Sequence, residues 1–109
     1  MVMSEKSQRY TYCFDIDETI CKTIGMNYRE AVPINERIIK INRLFAEGHI
    51  IKFFTARGSG TGIDWREVTE LQLTNWGLKY TELILGKPAA DFYIDDKAIN
   101  DRDFNWNSD

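Results

Sequence analysis

Two carboxylates spaced two apart, Asp15 and Asp17, end the apolar run Tyr10-Thr11-Tyr12-Cys13-Phe14, and the hydroxyl of Thr19 follows two residues later. A buried strand gains nothing by ending in adjacent acids. In an open parallel sheet, however, ligands bind at the carboxyl ends of strands, so chemistry is expected at Asp15. Two carboxylates this close repel each other unless a cation lies between them or one holds a proton. A hard, all-oxygen donor set favours magnesium over zinc. The alternative is a negatively charged turn, since Asp and Thr are good turn residues.

The elements that would position these acids follow in order along the chain. Residues 20–32 mix Gly25, Asn27 and charges without sustained periodicity, which suggests an irregular excursion or small hairpin beside the site. From 34 to 47 the apolar positions Ile34, Ile38, Ile41 and Phe45 recur at helical spacing, and Gly48 stands where a left-handed cap is wanted. The run His49-Ile50-Ile51-Lys52-Phe53-Phe54 reads as a buried strand ending at Thr55. After the flexible stretch Gly58-Ser59-Gly60-Thr61-Gly62, Asp64 and Glu67 have capping-box spacing, and Trp65, Val68, Leu71 and Leu78 support a second helix ending near Gly77. Short strands are expected at 82–85 and 92–94, separated by Gly86-Lys87-Pro88.

Strands alternating with helices predict a doubly wound α/β fold, a three-layer Rossmann-like parallel sheet with helices on both faces. If the strands are parallel, Asp15 and Asp17, then Thr55, then Lys87, then Asp95 and Asp96 all lie along one edge of the sheet. Acids, a hydroxyl and an ammonium gathered there suit a phosphate and a magnesium ion.

At 109 residues the chain is expected to be one domain, residues 9–109, behind a loose polar tail over 1–8. A net charge of -3 offers no basic footprint, which argues against nonspecific nucleic-acid binding. The 2 cysteines, Cys13 and Cys21, resemble neither a disulfide framework nor a metal knuckle and suggest a reducing, cytoplasmic setting. No apolar run approaches the roughly 20 residues of a membrane span, and the polar start is unlike a signal peptide.

With these residues in place the chain resembles the haloacid dehalogenase superfamily of phosphohydrolases. The motifs are Phe14-Asp15-Ile16-Asp17-Glu18-Thr19, Phe53-Phe54-Thr55-Ala56-Arg57, Gly86-Lys87-Pro88 and Tyr93-Ile94-Asp95-Asp96. They stand in the family's order at successive strand ends. Within the superfamily the chain is similar to small, capless proteins found among capsule and surface-polysaccharide biosynthesis genes.

The resemblance implies a magnesium-dependent phosphatase working through an aspartyl-phosphate, with a sugar phosphate as one expected substrate. Asp15 would be the nucleophile. Asp17 would act as general acid and then base, a role suited to a carboxyl whose pKa is raised by neighbouring acids. Asp15, the carbonyl of Asp17, and Asp95 would hold magnesium, with Asp96 a ligand or a holder of bound water. Lys87 would hold the phosphate and lower the pKa of Asp15. The Thr55 hydroxyl and the Ala56 amide would bind phosphoryl oxygens, and Thr19 would orient Asp15.

Several residues keep two readings. Arg57 either touches the far side of the substrate or forms a surface salt bridge. The glycine-rich loop lacks the Lys-Ser/Thr ending of a nucleotide P-loop and reads as a flexible connection. His49, on the opposite edge, reads as structural, and Trp65, Trp76 and Trp106 read as core or interface. No stretch is long enough for a cap domain, so the site should be open to a phosphorylated small molecule or covered by a second copy of the chain. Alternatives are a nucleotide or nucleic-acid-end phosphatase, and a non-catalytic module that binds a phosphorylated ligand or a partner.

Overall fold

A computed structural model describes residues 8–107. Residues 1–7, most of the expected loose tail, lie outside the described residues. Strands β1 (Thr11–Phe14), β4 (Ile50–Thr55) and β5 (Glu82–Leu85) form a parallel sheet in the order β1-β4-β5. Parallel neighbours cannot be joined by tight turns, so helix α1 (Asn35–Ala46) precedes β4 and helix α2 (Arg66–Asn75) precedes β5. The excursion after β1 is a small hairpin. Its strands β2 (Cys21–Lys22) and β3 (Val32–Pro33) pair antiparallel around a single 3-10 turn, Tyr28–Glu30.

Both helices end in the same way. At α1, the Gly48 amide bonds the Phe45 carbonyl and the His49 amide bonds the Leu44 carbonyl; at α2, Gly77 and Leu78 bond Thr74 and Leu73. This Schellman pattern needs a left-handed residue, supplied by Gly48 at φ 97° and Gly77 at φ 77°. The start of α2 differs from the capping box read in the sequence. Asp64 Oδ1 accepts the Arg66 amide at 3.0 Å, and Trp65 occupies the cap position without a side-chain bond.

Burial along β4 alternates, with Ile51, Phe53 and Thr55 inside and the residues between them only partly covered. Register places Phe14 and Leu83 beside Phe53 on the same face. Ile38, Ile41 and Leu44 of α1 and Leu73 of α2 belong to the one core cluster that this face joins. The other face carries exposed Cys13 and the ion pair Lys52 Nζ–Glu82 Oε1 at 3.4 Å. The described residues therefore place the helices against one face of the sheet, and helices on both faces are not seen among them. A strand covered on both sides would be buried at every position, and β4 is not.

The expected strand at 92–94 is also absent, with Phe92 82% and Ile94 97% exposed. The aromatics that cover β1 come from later in the chain. Phe104 and Trp106 each place their ring centroid 5.8 Å from that of Phe14, and Phe104 also meets Tyr12 at 6.1 Å. Largely exposed, and with no helix after it among the described residues, the 92–94 segment gains too little buried area to order as a strand.

Candidate active site

Asp15 leaves the end of β1 with its Oδ1 accepting the Ile16 amide at 2.8 Å and its Oδ2 3.3 Å from Lys87 Nζ. The Lys87 backbone is anchored by its amide, which donates to the Thr55 carbonyl at 3.1 Å. Lys87 Nζ also lies 4.1 Å from the centroid of the Tyr93 ring. The two neighbours of the central strand thus deliver opposite charges to one point. Burial raises the pKa of Asp15 above the ordinary carboxylate value, and the pull of Lys87 and of the Ile16 amide offsets this only in part.

Asp17 sits in a different environment. Arg57 Nε donates to its Oδ2 and Nη2 to its Oδ1, both at 2.9 Å. Thr23 Oγ1 donates to the same Oδ1 at 2.6 Å. Burial alone would raise the pKa of Asp17, but the Arg57 bonds and charge and the Thr23 bond together carry it below the ordinary value. This corrects the expectation of a raised pKa, because the dominant neighbour is a cation rather than Asp15.

Arg57 corrects the sequence reading more sharply. Its side chain is 0% exposed, so it is neither a surface salt bridge nor positioned to touch a substrate. Its Nη1 donates to Thr69 Oγ1 at 3.0 Å and to Gln72 Oε1 at 2.6 Å, and its guanidinium lies 4.9 Å from the centre of the Tyr28 ring. Gln72 Nε2 in turn donates to the Tyr28 carbonyl at 2.6 Å. A buried guanidinium requires this many acceptors.

The same requirement explains why α2 turns Thr69 and Leu73 inward and leaves Leu71 57% exposed, contrary to the apolar stripe expected there. Thr23, Tyr28, Thr69 and Gln72 were not singled out in the sequence. The available signal was a polar pair three apart, Thr69 and Gln72, on a helix whose apolar positions are sparse.

Between Asp17 and Thr19 the chain makes a tight turn in which the amides of Thr19 and Ile20 bond the Ile16 carbonyl. Glu18 adopts φ 66°, the left-handed region that a non-glycine residue enters at a cost of about 1 kcal/mol. Thr19 lines the cavity beside Asp15, and its carbonyl accepts Arg37 Nη1 at 2.9 Å; among the described residues its hydroxyl does not bond Asp15. Thr55 is buried at the end of β4, with its hydroxyl accepting the Arg57 amide at 3.1 Å.

A cavity of about 890 Å³ runs beside β1, lined among others by Asp15, Lys87, Tyr93, Asp95, Phe104 and Trp106. Asp95 faces it, but Asp95 and Asp96 are exposed, Asp95 Oδ1 accepting the Lys97 amide and Asp96 lying 3.9 Å from Lys97 Nζ. Asp15 is committed to Lys87 and Asp17 to Arg57. Among the described residues no three acids, histidines or cysteines are gathered to hold a metal. Asp15 and Asp95 line the same cavity.

No family model matches the chain, and no curated protein matches it. A crystal structure of a structural-genomics target from Vibrio cholerae is similar to it, with 25% identity over 85% of each chain and a TM-score of 0.76. That likeness shows a shared α/β fold and names no activity.

Proposed function

We propose that the chain is a hydrolase of phosphomonoesters of the haloacid dehalogenase type, with Asp15 as nucleophile. The observation that carries the reading is the pairing of Asp15 with Lys87 at 3.3 Å at the ends of separate strands, with a second, separately held carboxylate, Asp17, two residues on. An ammonium fixed beside a carboxylate lowers the repulsion between that carboxylate and an incoming phosphoryl group. In the first step an Asp15 oxygen forms a bond to phosphorus as the bond to the ester oxygen breaks, and that oxygen takes the proton held by Asp17, which is left ionised. In the second step water attacks the aspartyl-phosphate and gives up a proton to Asp17, releasing phosphate.

The Arg57 clamp favours the ionised form of Asp17, which suits the base step. Protonating the leaving oxygen is then the harder half of the cycle. Alcohols of low pKa should accordingly be the better leaving groups. Magnesium dependence belongs to the same reading, with Asp15 and Asp95 as its donors, and no step above is routed through the ion.

The test is phosphate release from sugar phosphates, nucleotides and phosphorylated oligonucleotides, with magnesium or with chelator. Release that needs magnesium and disappears in Asp15→Asn is the expected result. A folded protein that turns over none of them rejects the reading.

A further inference from the structure

The backbone and the side chain of Lys87 are held by different means. Its amide donates to the Thr55 carbonyl at 3.1 Å, and its carbonyl accepts Ser59 Oγ at 2.6 Å. Those bonds fix where the side chain starts. They leave the four-carbon stem free, and a lysine head is a compact, strongly hydrated charge that settles where its partners are. That head meets Asp15 Oδ2 at 3.3 Å and the face of Tyr93, whose ring centroid lies 4.1 Å from Nζ. The Tyr93 hydroxyl in turn donates to the carbonyl of Pro88, the residue after Lys87.

We propose that Tyr93 is a positioning residue: its ring holds the Lys87 ammonium beside Asp15, where it meets the oxygens of a phosphoryl group, and its hydroxyl fixes the ring. The inference rests on the phosphatase reading for what the ammonium does once positioned.

The distance from Lys87 to Asp15 exceeds the roughly 2.7–2.9 Å of a close charge-assisted hydrogen bond, so the carboxylate by itself leaves the ammonium loosely placed. An aromatic face attracts an ammonium without taking its proton or cancelling its charge. A carboxylate in the place of the ring would pair with Lys87 and compete with the phosphoryl oxygens for it. The ring instead leaves the full positive charge for the oxygens that arrive.

The hydroxyl explains why this ring is a tyrosine. Residues 86–94 form neither helix nor strand, Ala89, Ala90 and Asp91 are exposed, and Tyr93 is itself 48% exposed. A side chain on such a segment needs its own anchor. The bond to Pro88 closes residues 88–93 into a loop that starts directly after Lys87, so the ring moves with the lysine it serves. The β preference of the run 92–94 concealed this, because a strand reading gives Tyr93 no partner of its own.

The test uses the full chain with Tyr93→Leu, Tyr93→Phe, Lys87→Met, and Tyr93→Leu combined with Lys87→Met. A ring over an ammonium moves the protons of the adjoining methylene upfield, so the Lys87 Cε protons, identified by their loss in Lys87→Met, report the contact by NMR. They should lie upfield in the native chain and in Tyr93→Phe, and return to the ordinary lysine position in Tyr93→Leu. Function is read as the Kd for inorganic phosphate with magnesium present and as kcat/KM for p-nitrophenyl phosphate. Tyr93→Leu should weaken both about tenfold, or about 1.4 kcal/mol, within the range for a cation held on an aromatic face. Tyr93→Phe keeps the face and loses the anchor, so it should stay within about threefold of the native chain. Once Lys87→Met is present, Tyr93→Leu should change either quantity by less than about twofold, because the partner is already gone.

Equal losses from Tyr93→Leu with and without Lys87 overturn the inference, and native turnover in that case keeps the phosphatase. A Tyr93→Phe chain that falls as far as Tyr93→Leu also overturns it. The expected pattern in phosphate binding, from a chain that turns over no phosphomonoester, keeps Tyr93 as the positioning residue and rejects the phosphatase. A native chain that neither binds phosphate nor releases it overturns both.

Discussion

Arg57 links the stability of the molecule to the state of its acid. Its guanidinium has no solvent exposure, so its neutral and charged partners carry its whole solvation. Removing it leaves Asp17 partly buried beside Thr23 with its cation gone. Breaking a buried pair in this way costs about 3–5 kcal/mol. Arg57→Ala should therefore shift urea unfolding by that order, and Arg57→Lys should recover only part of it, because an ammonium cannot make the two-pronged contact.

The pH dependence follows from the same pair. Asp17 has its folded pKa below the ordinary value of 3.8, so its stabilising contribution is fully present above that pH. It is lost as pH falls below 3.8 through the folded pKa, when the carboxyl takes up a proton. Asp17→Asn should flatten this part of the acid unfolding curve, measured by circular dichroism from neutral to low pH. Asp15 works in the opposite sense. Its raised pKa means that ionising it costs stability as pH rises through the folded value, so a neutral side chain there removes a strain.

Among the elements, the loop between β4 and α2 carries the sharpest constraint. Gly58→Ala forces a Cβ into the Ile63 carbonyl at a positive φ and should destabilise the fold by at least about 1 kcal/mol, whereas Gly60→Ala should be neutral or slightly stabilising. Paired thermal melts of the two variants check this. The five glycine-rich residues look interchangeable in sequence, because glycine content shows that a chain can bend and not where it must.

Other elements were readable for definite reasons. The i, i+3, i+4 spacing in α1 and the glycine after each helix fix those helices locally. The strand run 49–54 was also clear, but its one-sided burial was not, because Lys52 and Phe54 fit a strand buried on either one face or two. Residues 92–94 read as a strand because their types favour one. A strand needs a neighbour, however, and the aromatic pair Phe104 and Trp106, which packs against Phe14, gives no periodic signal. Likewise, the strand-end acids were visible from their spacing, while the Arg57 clamp depends on contacts between residues 40 apart.

For the whole molecule, the core is closed by its last described segment. Arg37 stacks on Trp106 at 4.6 Å and pairs with Asp101 at 2.7 Å, while Trp106 Nε1 donates to the Asp101 carbonyl at 2.8 Å. Trp106→Ala should lower stability by about 2 kcal/mol, less than for a fully buried tryptophan, and equilibrium unfolding in urea measures it. No helix among the described residues is long and apolar enough to cross a membrane.

Among the described residues, one side of β1 has no neighbouring strand. The Tyr10 carbonyl accepts the Ile50 amide, so by the alternation of a ladder the amides and carbonyls of Thr11 and Cys13 point outward. An uncapped ladder of this kind is a template on which another extended chain can grow. In concentrated solution two molecules meeting there would bring their Cys13 thiols together. Handling in air would then turn a transient encounter into a covalent pair, and Asp15 at the end of the same strand would be shut in with it.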